Sequence, residues 1–164
     1  MSEAIAAYEK AVTAQPDDAE TREALGFAYM SAGRYEEAAG ALRMAVKNGS
    51  QAGHVHYWLG ACHHHLGRTA EAMSEYEQAR SRGMDDLGLL RALGGLYDHA
   101  GRLVEAAQAY ELILGKTPAD AEVRYTAGVC YQRLGQVDRA RAQYRSLRPL
   151  SAQKAEALYK LMLG

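Results

Sequence analysis

The feature that most constrains this chain is a pattern that recurs every 34 residues. Five series of small, apolar or aromatic residues follow this period in one register over most of the sequence. The glycine series shows it most clearly, with members at Gly26, Gly60, Gly94 and Gly128. Periods of about 20 to 50 residues are typical of proteins that stack one small supersecondary unit on the next. We therefore expect a repeat protein.

Each period reads as a helix, a turn and a second helix. In the first full period, Leu25, Gly26 and Tyr29 fall on one helical face. Gly33 follows at a place where a helix C-terminus favours positive backbone φ. A second helix is indicated by apolar residues spaced four and three apart. These residues are Ala38, Leu42 and Ala45. With 31 Ala, 16 Gly, three Pro and one Phe, the composition also favours an all-α chain in which helices cross at small residues.

The period and two Leu-Gly-x-x-Tyr segments resemble the tetratricopeptide repeat family. The segments begin at Leu25 and Leu93, and the resemblance covers residue 2 to about residue 148. It implies an all-α, right-handed α-solenoid of helix-turn-helix repeats. The early Trp typical of the family is absent here, and the single Trp of the chain, Trp58, lies two places later in its repeat. The positions that would hold the early Trp are Arg22, His56, Leu90 and Arg124.

The register predicts a single domain over residues 1–164, divided into repeats. The divisions are a half repeat with only a second helix at 2–18, full repeats at 19–52, 53–86, 87–120 and 121–150, and a capping helix at 151–164. The Asp17-Asp18 pair, Asp120 and Ser151 are expected to cap helix N-termini. In the half repeat, the face of Ala4, Tyr8 and Ala11 is expected to be partly uncovered. An upstream helix of a longer parent chain, a partner helix or a second copy of the chain would cover it, the last giving a homo-oligomer.

The resemblance also implies a site for a ligand. Ligands of this family usually lie on the concave face formed by the first helices, at the second, fifth, ninth, twelfth and thirteenth places of each repeat. The residues expected to bind a protein or peptide partner there are Glu23, Phe27, Met30, Tyr57, His64, His65, Arg91, Asp98, His99, Tyr125, Gln132 and Arg133. Aromatic and Met side chains would supply apolar anchors, and charged tips would set the register of the peptide. The Lys and Asn that clamp a chaperone's terminal carboxylate in some relatives are absent at the fifth and ninth places.

Charge and motifs argue against several other functions. The chain has 19 Lys and Arg against 20 Asp and Glu, unlike a strongly basic nucleic-acid binder. No segment approaches the about 20 apolar residues of a membrane span. No phosphate-binding glycine loop and no motif pairing a nucleophile with a base occurs. We expect a non-catalytic protein without a cofactor, nucleic-acid partner or membrane insertion.

Histidines and cysteines are the remaining candidates for chemistry. Five of six histidines lie between His54 and His65. A metal site built from His64 or His65 with Asp98 or His99 is a weak alternative to our expectation of no metal. His56 and His63 are expected at packing positions. Cys62 and Cys130 occupy the same place two repeats apart, about 20 Å from each other, so we expect buried free thiols.

The sequence leaves two main candidate functions and a third, more specific one. The first is a scaffold that binds a peptide in the concave groove. The second is end-to-end self-assembly, because residues 1–41 carry 3 basic and 8 acidic groups, a balance of −5, whereas residues 122–164 carry 8 and 3, a balance of +5. A secretion-type chaperone is the third. The absence of a signal segment predicts a cytoplasmic protein, or a periplasmic one if the chain is part of a longer protein.

Overall fold

The computed structural model describes residues 2–163, which form ten α-helices joined by short turns. The helices are α1 (Ser2–Ala14), α2 (Ala19–Ser31), α3 (Tyr35–Lys47), α4 (Gly53–His65), α5 (Thr69–Ser81), α6 (Leu87–His99), α7 (Leu103–Lys116), α8 (Ala121–Arg133), α9 (Val137–Leu147) and α10 (Ala152–Leu163). No β-strand occurs among these residues, so the all-α fold expected from the sequence is confirmed. None of the ten helices has the length and apolar content that crossing a lipid bilayer requires.

The described residues divide into two compact units, which we call unit 1 and unit 2. Unit 1 extends to Asp85 and contains α1 to α5, whereas unit 2 begins at Asp86 and contains α6 to α10. In unit 1, α2 pairs with α3 and α4 pairs with α5, while α1 packs on α2. In unit 2, α6 pairs with α7 and α8 with α9, while α10 packs on both α8 and α9. Each unit is thus a set of helix hairpins; the division into a half repeat, four full repeats and a cap stays a prediction.

The turns and caps follow the local chemistry of the sequence. Gly33 has a φ of 74° directly after α2, as expected for a residue that ends a helix in the left-handed region. Asp18 and Asp120 each accept a hydrogen bond from a backbone N–H in the first turn of the helix that follows, at 3.1 and 3.0 Å. Ser151 accepts a longer bond, of 3.4 Å, from the backbone N–H of Lys154. The predicted capping roles of Asp120 and Ser151 are confirmed, and of the Asp17-Asp18 pair it is Asp18 that caps the helix.

The repeated glycines lie where the two helices of a hairpin cross. A Cβ atom placed on Gly60 would lie 2.7 Å from the ring of Tyr76 in α5, and Gly26 faces Leu42 in the same way. Gly94 has the corresponding contact with Tyr110 in α7. These positions must stay small for the helices to approach, so the expectation that helices cross at small residues is confirmed.

The last crossing is built differently. The atoms nearest a Cβ on Gly128 belong to Leu158 of α10, not to Tyr144 of α9. Leu158 is fully buried, and Tyr144 lies instead beside Tyr159 with 5.4 Å between the ring centroids. The terminal helix α10 therefore fills a place that a second-helix residue fills in the other hairpins.

The core is made of small and medium apolar side chains between paired helices. Ala38, Leu42 and Ala45 of α3 are completely buried, as their spacing predicts. Their counterparts on α1 differ, because Ala4, Tyr8 and Ala11 are exposed and only Ile5 of that helix is buried. The α1 face expected to be partly uncovered is therefore exposed within the described residues.

Candidate functional site

Four side chains on α2 and α4 of unit 1 form a connected surface cluster. Glu23 and Phe27 lie one helical turn apart on α2, and His54 and Trp58 lie one turn apart on α4. The i, i+4 spacing places each pair on one face of its helix. Because α2 and α4 are in contact, the two pairs face one another. We call these four residues the aromatic cluster.

The contacts within the aromatic cluster are polar at one end and aromatic at the other. Nε2 of His54 donates to Oε2 of Glu23 at 3.0 Å. One turn further along, the ring centroids of Phe27 and Trp58 are 4.9 Å apart with an interplanar angle of 44°. The imidazole of His54 also meets Trp58 edge-on at 4.6 Å, so the aromatic and polar ends are joined.

Exposure distinguishes the cluster from the core beneath it. Phe27, the single Phe of the chain, is 46% exposed, although an aromatic ring of this size is usually covered. Trp58 is partly buried against the unit 1 core and partly open to solvent. The side chain of His54 is 45% exposed, whereas that of Glu23 is 17% exposed. The cluster is thus a supported aromatic surface with a half-covered carboxylate beside it.

Three members of the cluster, Glu23, Phe27 and His54, stand at places of the binding strip predicted from the sequence, whereas Trp58 does not. Trp58 stands outside the places that the family resemblance assigns to the ligand strip. A signal was nevertheless present, since Trp58 follows His54 by four residues and so shares its helical face.

The other predicted site residues of unit 1 differ in exposure and contacts. Met30 is half-buried against the core, and the ring of Tyr57 lies 5.6 Å from that of Tyr76. His65 stacks on Tyr35 with centroids 4.2 Å apart, while His64 is exposed beside it. None of these side chains has a ring contact with Phe27 or Trp58 in the part of the chain that the structure describes.

In unit 2 most of the predicted charged residues are paired with each other or with a cap. Arg91 forms an ion pair with Asp120, the residue that caps α8, and Arg133 forms one with Asp98. His99 is exposed.

The remaining two residues of the unit 2 strip contact the terminal helix α10. The ring of Tyr125 lies 5.7 Å from Nζ of Lys154, and Gln132 donates to the carbonyl of Leu161 at 3.4 Å. The unit 2 strip is thus largely engaged in contacts of its own.

The buried histidines and cysteines have structural surroundings. His56 is 5% exposed and its Nδ1 bonds Glu75 at 2.7 Å, and His63 is equally buried, which confirms their packing positions. Cys62 and Cys130 are free and fully buried, and burial raises the pKa of each thiol to about 11. Within either unit of residues 2–163, no three His, Cys, Asp or Glu side chains converge as metal ligands would.

Comparison with known proteins agrees with the helix hairpins. Two family models, both described as tetratricopeptide repeat, match the chain, one over residues 2–53, 24–86 and 75–121 and the other over residues 99–162. No curated protein sequence matches it.

Several solved structures share the fold. YrrB, described as a TPR protein with an unusual peptide-binding site, has a TM-score of 0.80 and 22% identity over 97% of this chain and 83% of its own. A crystal structure of MamA has a TM-score of 0.75 and 25% identity over 93% of this chain and 89% of its own. A second MamA structure, designated AMB-1, has a TM-score of 0.80 and 20% identity over 92% of this chain and 82% of its own. With the family models matching from residue 2 to residue 162, the chain belongs to the tetratricopeptide repeat family.

Proposed function

We propose that this protein is a non-catalytic scaffold that binds a peptide or an extended partner segment on the faces of its first helices. Membership of the family supports a general role in protein–protein interaction. The observation that carries the finer proposal is the exposure of Phe27 beside Trp58 on adjacent first helices. Exposed aromatic side chains that are supported from below are typical anchors for a binding partner.

Each unit also has predicted strip residues of its own that would contact a ligand bound to that unit. In unit 1 these are Met30, Tyr57, His64 and His65, and in unit 2 they are Arg91, Asp98, His99, Tyr125, Gln132 and Arg133. Arg91 and Arg133 already pair with acidic side chains, so a ligand would exchange one ion pair for another there. Exchanges of this kind on a surface contribute little net affinity. We therefore place most of the binding energy at the aromatic cluster.

A pull-down with single substitutions tests this function. Wild-type bait and a Phe27→Ala bait would be incubated with lysate of the cells that produce the protein, and the captured proteins would be quantified by mass spectrometry. Loss of an aromatic anchor should weaken capture of the true partner by about tenfold or more. Since Phe27 is 46% exposed, the substitution should leave the fold intact.

The matched control is Leu112→Ala, which removes a 43% exposed apolar side chain from α7, outside the cluster. A partner held by wild type and by the Leu112→Ala bait but lost from Phe27→Ala supports the proposal. Equal capture by all three baits would exclude the aromatic cluster as the binding site.

End-to-end self-association is a second candidate, favoured by the surface of α9 and α10. An open groove of about 370 Å³ there is lined by apolar and basic side chains. They are Val137, Arg141, Tyr144, Arg145, Tyr159, Met162 and Leu163. Exposed apolar area beside arginines fits an acidic partner surface, and residues 1–41 of a second copy carry a balance of −5.

A further inference from the structure

The charged side chains that α2 and α4 place beside the aromatic cluster are acidic. Helix α4 contains no Asp, Glu, Lys or Arg, and α2 contributes Glu20 and Glu23. The one basic residue of α2, Arg22, is directed to the preceding turn, where its Nε donates to the carbonyl of Pro16 at 2.8 Å. The surface that Phe27 and Trp58 present is therefore bordered by carboxylates and imidazoles.

Aromatic rings beside a carboxylate favour a cationic ligand group. The face of an aromatic ring attracts a cation, most strongly for Trp, and such contacts are worth about 0.5 to 2 kcal/mol depending on exposure. The rings of Phe27 and Trp58 are inclined at 44° and so do not cover each other as stacked rings would. A planar guanidinium can lie against such rings and still donate hydrogen bonds at its edge.

Glu23 is placed to accept that donor. His54 occupies Oε2 of the carboxylate, and within the described residues Oε1 has no hydrogen-bond partner. The side chain is only 17% exposed, so an ion pair formed there is screened less than one at an open surface. An acidic ligand group at the same place would meet Glu23, and the one Lys or Arg of α2 and α4, Arg22, is directed to Pro16 instead.

From this arrangement, and resting on the peptide-binding function proposed above, we infer that the aromatic cluster binds a basic side chain of the partner peptide, arginine fitting best. The cationic group lies against Phe27 and Trp58 and donates to Oε1 of Glu23. The ligand class is thus a peptide with at least one basic residue among neutral or apolar neighbours.

Selection from a random dodecapeptide phage library tests the inference, because the library offers basic, acidic and neutral side chains alike. Clones would be kept when they bind both wild type and Leu112→Ala but fail to bind Phe27→Ala. A selected peptide would then be synthesised with its basic residue intact and with a neutral counterpart, citrulline for arginine or acetyl-lysine for lysine. Binding is read from the fluorescence of Trp58, which is the only Trp in the chain and lies within the cluster.

The expected result is a basic residue in the selected peptides and about tenfold weaker binding of the neutral copy, since a cation–π contact and a charge-assisted hydrogen bond are lost together. In Glu23→Gln, which keeps the size of the side chain, the preference for the charged peptide should fall to about threefold or less.

The failures of the two proposals are distinguishable. Selected peptides without a basic residue, or a neutral copy that binds as tightly as the charged one, would overturn the inference and leave peptide binding at the cluster intact. If no clone distinguishes wild type from Phe27→Ala, peptide binding at the cluster is itself wrong and the inference falls with it.

Discussion

Gly94 and Gly95 are neighbours in α6 that meet opposite surroundings. A Cβ on Gly94 would lie 2.7 Å from Cε1 of Tyr110, a residue of α7 that is only 6% exposed. A Cβ on Gly95 would meet nothing within 4 Å. Both residues are helical, so Ala should be favoured over Gly at each on propensity alone. The two positions therefore differ only in the side chains that a new methyl group would meet.

Gly94→Ala should lower the free energy of unfolding by about 1–3 kcal/mol because a methyl group is forced against a buried ring. Gly95→Ala should raise it by about 0.5–1 kcal/mol, since Ala loses less backbone entropy on folding. Urea unfolding of the two variants beside wild type provides the measurement. Equal effects of the two substitutions would mean that the crossing of α6 and α7 is not limited by side-chain size.

The two thiols should be inert while the protein is folded. Burial raises the pKa of Cys62 and Cys130 to about 11, so at pH 8 only about one thiol in a thousand is ionised, and the thiolate is the reactive form. Because the shift is upward, reactivity should remain low until the pH approaches that value or the protein opens. Iodoacetamide labelling at pH 8 should be slow in buffer and rapid in denaturant; rapid labelling in buffer would contradict their burial.

At the scale of helices, a tyrosine–glutamate hydrogen bond joins neighbouring helices in both units, and one junction in unit 1 lacks it. Tyr29 of α2 donates to Glu9 of α1 at 2.6 Å, and Tyr131 of α8 donates to Glu111 of α7. The bond to Glu9 raises the pKa of Tyr29, and burial followed by the bond to Glu111 raises that of Tyr131. At the junction of α3 and α4, the positions one period after Tyr29 and Glu9 hold a histidine and an arginine instead.

Two substitutions should restore the missing hydrogen bond between α3 and α4. His63 is buried and its Nδ1 makes no hydrogen bond within residues 2–163, while Arg43 is exposed. The double variant His63→Tyr/Arg43→Glu recreates the tyrosine–carboxylate pair and should raise the free energy of unfolding by about 1–3 kcal/mol. A double-mutant cycle should show that the gain requires both changes. If the effects of the two single substitutions on the free energy of unfolding simply add, no hydrogen bond has formed between the new tyrosine and glutamate.

Helix positions, turns and buried faces could be predicted from the sequence because each depends on local spacing. Gly33 at the end of α2, Asp120 at the start of α8 and Ala38 on the buried face of α3 are examples. The contact between Phe27 and Trp58 was not predicted, because it depends on how α2 and α4 approach and on the rotamers of both rings. The pairing of Arg91 with a capping carboxylate was missed for the same reason. Ligand positions taken from a family pattern therefore identify a face, and tertiary packing decides which side chains on it are available.

The whole molecule combines a nearly neutral total with opposite charges at the two ends of the sequence. The formal net charge is −1, although residues 1–41 and 122–164 carry balances of −5 and +5. Such a distribution favours contact between the beginning of one copy and the end of another, and added salt should weaken that contact.

If self-association occurs, sedimentation velocity should show concentration-dependent species at about 20 mM salt that disappear at about 500 mM salt, where the screening length is several-fold shorter. Arg141→Glu/Arg145→Glu reverses charge beside the α9–α10 groove and should abolish association. Arg43→Glu/Arg80→Glu makes the same change in net charge on α3 and α5 and should have a weaker effect. A wild-type protein that stays monomeric at low salt would exclude this function.

The crossing glycines also bear on how a gene for such a protein can change length. Gly26, Gly60 and Gly94 each meet a residue of their own hairpin, Leu42, Tyr76 and Tyr110, always 16 positions later. An internal duplication or deletion of 34 residues would carry the glycine and its partner together, so each crossing would remain matched. Gly128 depends on Leu158, outside its hairpin, and a duplication inserted between α9 and α10 would separate them. The interior of the chain can thus lengthen or shorten in steps of one repeat, whereas its final hairpin and terminal helix must be inherited as one piece.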